Sequence, residues 1–319
     1  RPIQFSPEFF DRQRQLGYSQ QWNLTIQREI GWSTVTELSY MGNVGRKLNG
    51  PNTSINQVPV DQMAAGNAQV RRPFAQFGNV TLISPFWGNS SYHSFNAKIE
   101  KRFSDGLNFL ANYTFSKFID DVASGFEAGA TSGGIQNIYD RSAEKALSGN
   151  DVRHRLSASG VWELPGNNVF IKGWSFGLIA VLQGGAPIGA TVQVNNCNCF
   201  NPGALRANVL RDPTLPSDQR TVERWFDTTA LAAPAPFTFG NAGRSIMRGP
   251  GLLNMDMSLI RTFTFTERWK MQFRAEGFNF INRANFEDPG IAVGAPNFGV
   301  INATRTNARS IQLGLKLMF

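Results

Sequence analysis

Charge, histidine and cysteine are all scarce in this 319-residue chain, and no long apolar run breaks it up. Charged residues make up 17%, whereas soluble domains carry about a quarter; a surface wetted on every side is a poor fit. The two histidines, His93 and His154, come with no nucleophile elbow and no metal-ligand spacing. Carboxylate pairs such as Asp120 and Asp121 fall in an expected loop, where solvation is the default role. An enzyme is therefore not expected, and no catalytic residue, metal or cofactor is assigned.

The two cysteines, Cys197 and Cys199, share one polar segment and cannot tie distant parts together. A bridge between them would close a small, strained ring, and no histidine or third cysteine nearby completes a metal set. They read as incidental or weakly paired loop thiols. A membrane helix needs about 20 consecutive apolar residues. The nearest candidate, the uncharged stretch from Gly173 to Leu205, is apolar only from Trp174 to Leu182 before Gln183, Gly184, Gly185 and Pro187 end it. A chain that crosses lipid without such a helix is left with a closed barrel, because hydrocarbon cannot satisfy an open sheet edge.

Aromatics and glycine, by contrast, are plentiful: 26 Phe, 7 Trp and 31 Gly. The net charge of +8 comes from basic residues scattered through the chain rather than clustered. That distribution argues against nucleic acid and suits a wet lumen and loops facing anionic lipid.

Period-two alternation dominates, the mark of strands with one apolar and one polar face. Tyr18, Trp22, Leu24, Ile26 and Ile30 share one face, and Leu38 and Tyr40 continue it in the next strand, about Thr34 to Gly42. Phe95, Ala97, Ile99 and Phe103 stand opposite Asn96, Lys98, Glu100 and Arg102. After the hairpin signal Ser104, Asp105, Gly106 come Leu107, Phe109, Ala111, Tyr113 and Phe115. Further strands follow through Leu156 to Leu164, Trp174 to Leu182, Leu253 to Phe263, Trp269 to Ala275 and Ile311 to Phe319. The expectation is an all-β, antiparallel transmembrane barrel segment of about nine strands, each roughly ten residues long.

The connections alternate in length. Short ones fall at Gly31 to Ser33, Ser104 to Gly106, Pro165 to Gly173 and Thr264 to Glu267; long ones run Asn43 to Ser91, Lys117 to Asn150, Gln183 to Gly251 and Ile281 to Ala308. Outer-membrane barrels pair short periplasmic turns with long external loops, which places Phe319 at the periplasmic edge. Apolar-face aromatics Phe103, Trp162, Trp174, Phe263, Trp269 and Phe319 then gather beside the short turns as a periplasmic girdle. Arg28, Lys101 and Arg261, the cations on that face, lie near the same ends, where long side chains snorkel to headgroups.

Five segments resemble the end of the barrel in Oar-like TonB-dependent receptors: GYSQQWNLTIQREIGWSTVTELSYMGNVGRKL from Gly17, FNAKIEKRFSDGLNFLANYTFSKFIDD from Phe95, DVRHRLSASGVWELP from Asp151, FGNAGRSIMRGPGLLNMDMSLIRTF from Phe239 and MQFRAEGFNFINRANF from Met271. The resemblance spans nearly the whole chain. It implies an outer-membrane receptor of a Gram-negative bacterium with a carboxypeptidase-regulatory-like N-terminal domain, a plug inside a barrel of about 22 strands, and a segment contacting TonB. Beginning at Arg1 without an initiator Met, a basic n-region or an apolar h-region, residues 1–319 read as the C-terminal portion of such a receptor, with plug, TonB-contacting segment and signal peptide absent from them. A passive porin or a surface adhesin is the alternative.

Four residue sets carry the functional expectations. Ile311, Leu313, Leu315, Leu317 and Phe319 resemble the terminal signal read by the barrel assembly machinery, by strand addition at an open edge. Lys98, Glu100, Arg102, Arg153, Arg155, Lys270, Arg274 and Glu276 face the lumen, pair across strands and meet the plug. Phe86, Trp87, Arg224, Trp225, Phe226 and Arg244 are candidates for capturing a substrate of unknown identity in the external loops. The girdle residues contact outer-membrane lipid. Expressed alone, the segment would have two unpaired edges and is expected to aggregate or close improperly.

Overall fold

The computed structural model describes residues 5–122, 131, 134–166 and 172–319. Nine long strands form one antiparallel meander: β1 (Tyr18–Gly31), β2 (Thr34–Leu48), β3 (Gly88–Ser104), β4 (Leu107–Asp120), β5 (His154–Glu163), β6 (Trp174–Gln183), β7 (Leu252–Thr264), β8 (Lys270–Phe278) and β9 (Ser310–Met318). The two-residue strand Ala146–Leu147 adds to the top of β4 as a tenth member. Each long strand pairs with its neighbours in sequence, so β1 and β9 are the free edges and the barrel is not closed. Among the described residues no helix is long and apolar enough to cross a membrane, which says nothing of crossing by strands.

The register follows from the alternation. Leu38 opposes Ile26 and Ala97, Ala97 opposes Tyr113, Tyr113 opposes Leu156, Leu156 opposes Leu182, and Leu182 opposes Leu253. One unbroken apolar row therefore crosses seven strands. The adjacent row runs Gln27, Glu37, Lys98, Asn112, Ser157, Val181, Asn254 on the other face. A slip of one residue anywhere would exchange the two faces, so this patterning fixes the register.

The short turns lie together at one end. Asp105 and Gly106 both have positive φ, 52° and 74°, the backbone of a two-residue type I′ hairpin. Trp32 and Ser33 adopt the same region at 50° and 54° without glycine, leaving the Trp32 ring 90% exposed beyond the membrane face. The middle of the link between Pro165 and Gly173 lies outside the described residues.

β2 and β3 are longer than expected, 15 and 17 residues. The connection taken to begin at Asn43 instead begins after Leu48, because the ladder continues through Asn43 to Tyr92, Val44 to Ser91 and Gly45 to Ser90. Hydrogen bonding between strands needs no apolar side chain, and the polar top of this hairpin carries no hydrophobic period to reveal it.

The buried core sits in the external loops, not in the wall. Ile188, Ala190, Ala207, Phe226, Leu231 and Met247 form one cluster; Val58, Ala68, Cys197, Cys199 and Leu205 form a second. Cys197 and Cys199 are joined in a disulfide with Cα atoms 5.2 Å apart, which decides for the paired form between the incidental and paired thiols the sequence left open. Both are 1% exposed, and the backbone of Cys199 accepts a hydrogen bond from Val58 N–H, which packs the ring into the loop core.

Candidate functional site

Three surfaces bear on function: the apolar face, the polar face and the loop cap. On the apolar face, the anticipated aromatics lie at the short-turn end, where several meet other rings. Trp269 and Phe319 lie 5.4 Å apart, Trp174 meets Phe273 edge-on at 6.3 Å, and Trp162 opposes Phe176 in register. The Arg261 guanidinium rests over the rings of Phe263 at 4.5 Å and Trp174 at 5.4 Å, a cation–π seat that lets a cation lie against an apolar wall. Lys101 bends to the turn instead, donating to the Trp32 carbonyl and Ser104 Oγ, each at 2.7 Å. Phe103 is 58% exposed beside them. Ile311, Leu313, Leu315 and Leu317 oppose Gly277, Ala275, Phe273 and Met271, so β9 completes this face with its outer edge open.

A second aromatic row at the opposite end escaped the sequence reading. Trp22, Tyr40, Phe95 and Phe115 are exposed on the apolar face beside the long loops. His93 and His154 join them: each Nδ1 is 2.8 Å from a tyrosine hydroxyl, of Tyr40 and Tyr113 respectively. The available signal was positional, since these rings occupy apolar-face positions nearest the long connections. From His93 to Phe103 is ten residues of β3, about 33 Å along a strand and roughly 25 Å across at a barrel's tilt of about 40°, the height of a lipid-facing band.

The polar face lines a cleft of about 530 Å³, bounded by Glu100, Arg102, Asn108, Asp256, Ser258 and Glu276. Among the described residues its close ion pairs run along strands, Lys98 Nζ 2.8 Å from Glu100 and Arg274 3.6 Å from Glu276, while Glu37 stands opposite Lys98 on the neighbouring strand. Residues two apart on a strand point to the same side, and long side chains bridge that step. Arg155 opposes Thr114 and Gln183, Arg153 precedes β5, and Lys270 opposes Thr264 and Met318. Unexpectedly, Leu110, Val161, Ile179 and Phe278 also line the cleft, and are 39%, 42%, 57% and 46% exposed.

The loop cap is held by buried ionic contacts. Arg206, fully buried, is paired with Glu144; Arg244, also fully buried, with Asp120 at the top of β4; and Arg248 with Asp151 beside β5. Gln57 and Gln136 complete the lattice: Gln57 Nε2 donates to the Gln136 carbonyl, and Gln136 Oε1 accepts from Arg206 N–H. Loops from three different hairpins are thereby locked into one body. Of the candidate capture residues, Phe226 is 1% exposed against Phe298, and Arg244 is sealed. Both are corrected to structural roles, because the loops bury their own core. Trp225 donates Nε1–H to the Arg248 carbonyl, Arg224 bonds Asp227 at 3.3 Å, and Trp87 and Phe86 lie under the guanidinium groups of Arg141 and Arg14. Burial lowers the pKa of Arg141 from its ordinary value, partly offset by Asp121 and Glu144. Among the described residues no group of three or more His, Cys, Asp or Glu is placed to hold a metal.

Residues 1–312 match the family described as the outer membrane beta barrel domain. The chain belongs to that family. It is a wall of an outer-membrane β-barrel. Among solved structures it resembles the outer membrane transporter YddB from Escherichia coli, with a TM-score of 0.52, 11% identity, and coverage of 99% of this chain and 34% of that one. The ferripyoverdine receptor of the outer membrane of Pseudomonas aeruginosa aligns with a TM-score of 0.46, 10% identity, and coverage of 94% and 27%. The barrel wall thus spans about a third of the YddB chain. No curated protein matches it.

Proposed function

We propose that this wall is the C-terminal portion of a TonB-dependent receptor of the Oar-like kind, taking up a substrate through a plugged barrel with energy supplied from the periplasm. The observation that carries this reading is the apolar strip on the polar face. Leu110, Val161, Ile179 and Phe278 expose aliphatic and aromatic surface inside an otherwise hydrophilic hollow. A water-filled passive pore gains nothing from that surface, and leaving it wet forgoes about 25 cal/mol per Å². A plug seated against it would cover the strip and meet the flanking Glu100, Asp256 and Glu276 with donors.

The open edges of β1 and β9 support the same reading, since further strands must close the sheet before lipid can surround it. Likeness to a transporter about three times as long is consistent with where those strands come from. In this reading the protein is a receptor and transporter and not an enzyme; His93 and His154 face lipid and are bonded to tyrosines. Partners would be the plug, TonB, the assembly machinery and outer-membrane lipid.

Planar-bilayer recording on the full-length protein tests the proposal, paired with co-purification on the periplasmic domain of TonB. A plugged receptor gives negligible steady conductance and retains TonB. Steady single-channel current without TonB retention would instead establish the passive pore.

A further inference from the structure

Lys117, expected to open a long connection, instead lies within β4, and at the external level of the apolar face it stands directly opposite His93 in register, a cation additional to the three expected near the short turns. His154 opposes Phe115, two residues before Lys117 on the same strand. One ammonium and two imidazoles therefore lie together on the surface that touches lipid, at the end of the wall facing the outside.

The imidazoles are held in place. His93 is fixed by Tyr40 at Nδ1, 2.8 Å away, and by Ser91 Oγ at Nε2, 3.2 Å away. Tyr113 holds His154 at Nδ1, which leaves its Nε2 without a partner among the described residues. Aromatic rings wall the group, with Trp22 6.1 Å from His93 and Phe115 5.1 Å from His154.

Among the described residues no carboxylate pairs with Lys117. Asp120 is committed to the buried Arg244, and Asp121 accepts from the Asn89 backbone and side chain at 2.6 and 2.8 Å. Among the described residues Lys117 makes no ion pair and is exposed. An unpaired cation at the hydrocarbon boundary is costly unless it meets an anion at headgroup depth. The chemistry that satisfies it is a phosphate on a lipid headgroup: a charge-assisted bond from Nζ, a second from imidazole Nε2–H, and acyl chains below on Phe115 and Phe95.

We propose that Lys117 and His154, with His93 held beside them by Tyr40 and Ser91, form a binding site for the phosphate of a phosphorylated glycolipid in the external leaflet. Native mass spectrometry of the full-length protein in a neutral detergent tests this, with diphosphoryl lipid A and its dephosphorylated form as probes. The expected result is retention of the diphosphoryl form roughly tenfold above the dephosphorylated one, a ratio that one charge-assisted hydrogen bond supplies. Lys117→Ala and, separately, His154→Ala should each erase most of that preference, while Lys117→Arg keeps it and Arg261→Ala, at the other end of the wall, leaves it unchanged. Heat-dependent gel mobility confirms that each variant is folded.

Equal retention of both lipids, or a folded Lys117→Ala protein that keeps the preference, would overturn the proposal. Full displacement of the diphosphoryl lipid by millimolar inorganic phosphate would also overturn it, by assigning the site to a free anion.

Discussion

Arg244 and Asp120 form an ion pair between one external loop and the top of β4, with the arginine side chain wholly removed from solvent. The same guanidinium also reaches the Asp120 carbonyl at 3.2 Å. A strand end and a loop 124 residues away are thus joined through one side chain.

Arg244→Met takes the counter-charge from Asp120, and Asp120→Leu takes a carboxylate from a fully buried guanidinium; losing one member of a buried pair costs about 3–5 kcal/mol. Arg244→Met or Asp120→Leu alone should therefore lower the unfolding midpoint sharply and expose the loops to protease. Replacing both should recover much of the loss, since a buried pair is often no better than apolar side chains of similar volume. Urea titration followed by heat-modifiable gel mobility would show this; a double variant as weak as the worse single one would contradict it.

The two faces of the wall make a sharper prediction. Ile99 lies midway between His93 and Phe103 on the apolar face, whereas Ser157 lies in the polar row. Arginine at a bilayer midplane costs about 2–4 kcal/mol on a lipid-facing strand. Ile99→Arg should lose that much folding free energy in vesicles, and Ser157→Arg should lose under about 1 kcal/mol. Equal penalties would mean that the faces are not lipid and lumen.

How far these features could be read from sequence depends on whether they carry a period. The wall could be, because each strand repeats the same solvent contrast every two residues, as Leu38, Ala97, Tyr113 and Leu156 do in one row. The loop body could not. Arg206 and Arg244 belong to a residue type that is almost never fully buried, and their partners Glu144 and Asp120 lie 62 and 124 residues away. Phe226 looked available for the opposite reason: an aromatic in a polar loop reads as exposed until the loop is seen to pack on Phe298. Leu110 is readable on the polar side of its strand, but the strip it forms with Val161, Ile179 and Phe278 was hidden by dilution, since single apolar residues in polar rows look like noise.

Asp227 supplies a pH test outside the membrane band. Its carboxylate accepts from the Thr229 hydroxyl at 2.8 Å and from Arg211 at 2.8 Å, and the Thr229 bond first, then Arg211, holds its pKa down at about 2 against an ordinary 3.8. A depressed carboxylate contributes stability above its unfolded value and loses it as pH falls through the folded one. The Asp227→Asn protein should thus be cut faster than the parent by pepsin in the loop around Arg211 at pH 4, and the difference should shrink towards pH 2. A gap that widened on acidification would assign the protection to another group.

Phe319 is 89% exposed and touches Trp269 at 5.4 Å, so two roles compete for it. A girdle residue acts through lipid and its ring neighbour, and its loss should weaken folding equally in cells and in purified lipid vesicles. A terminal signal acts through the assembly machinery, and its loss should be felt only where that machinery is present. We expect deletion of Phe319 to reduce assembled protein in the outer membrane several-fold while refolding yield into vesicles stays within experimental scatter. Trp269→Ala, which removes the ring contact but keeps the terminal phenylalanine, should leave assembly in cells close to normal. Parallel losses for both variants in both settings would assign Phe319 to the girdle alone, because only the shared aromatic contact would then explain them.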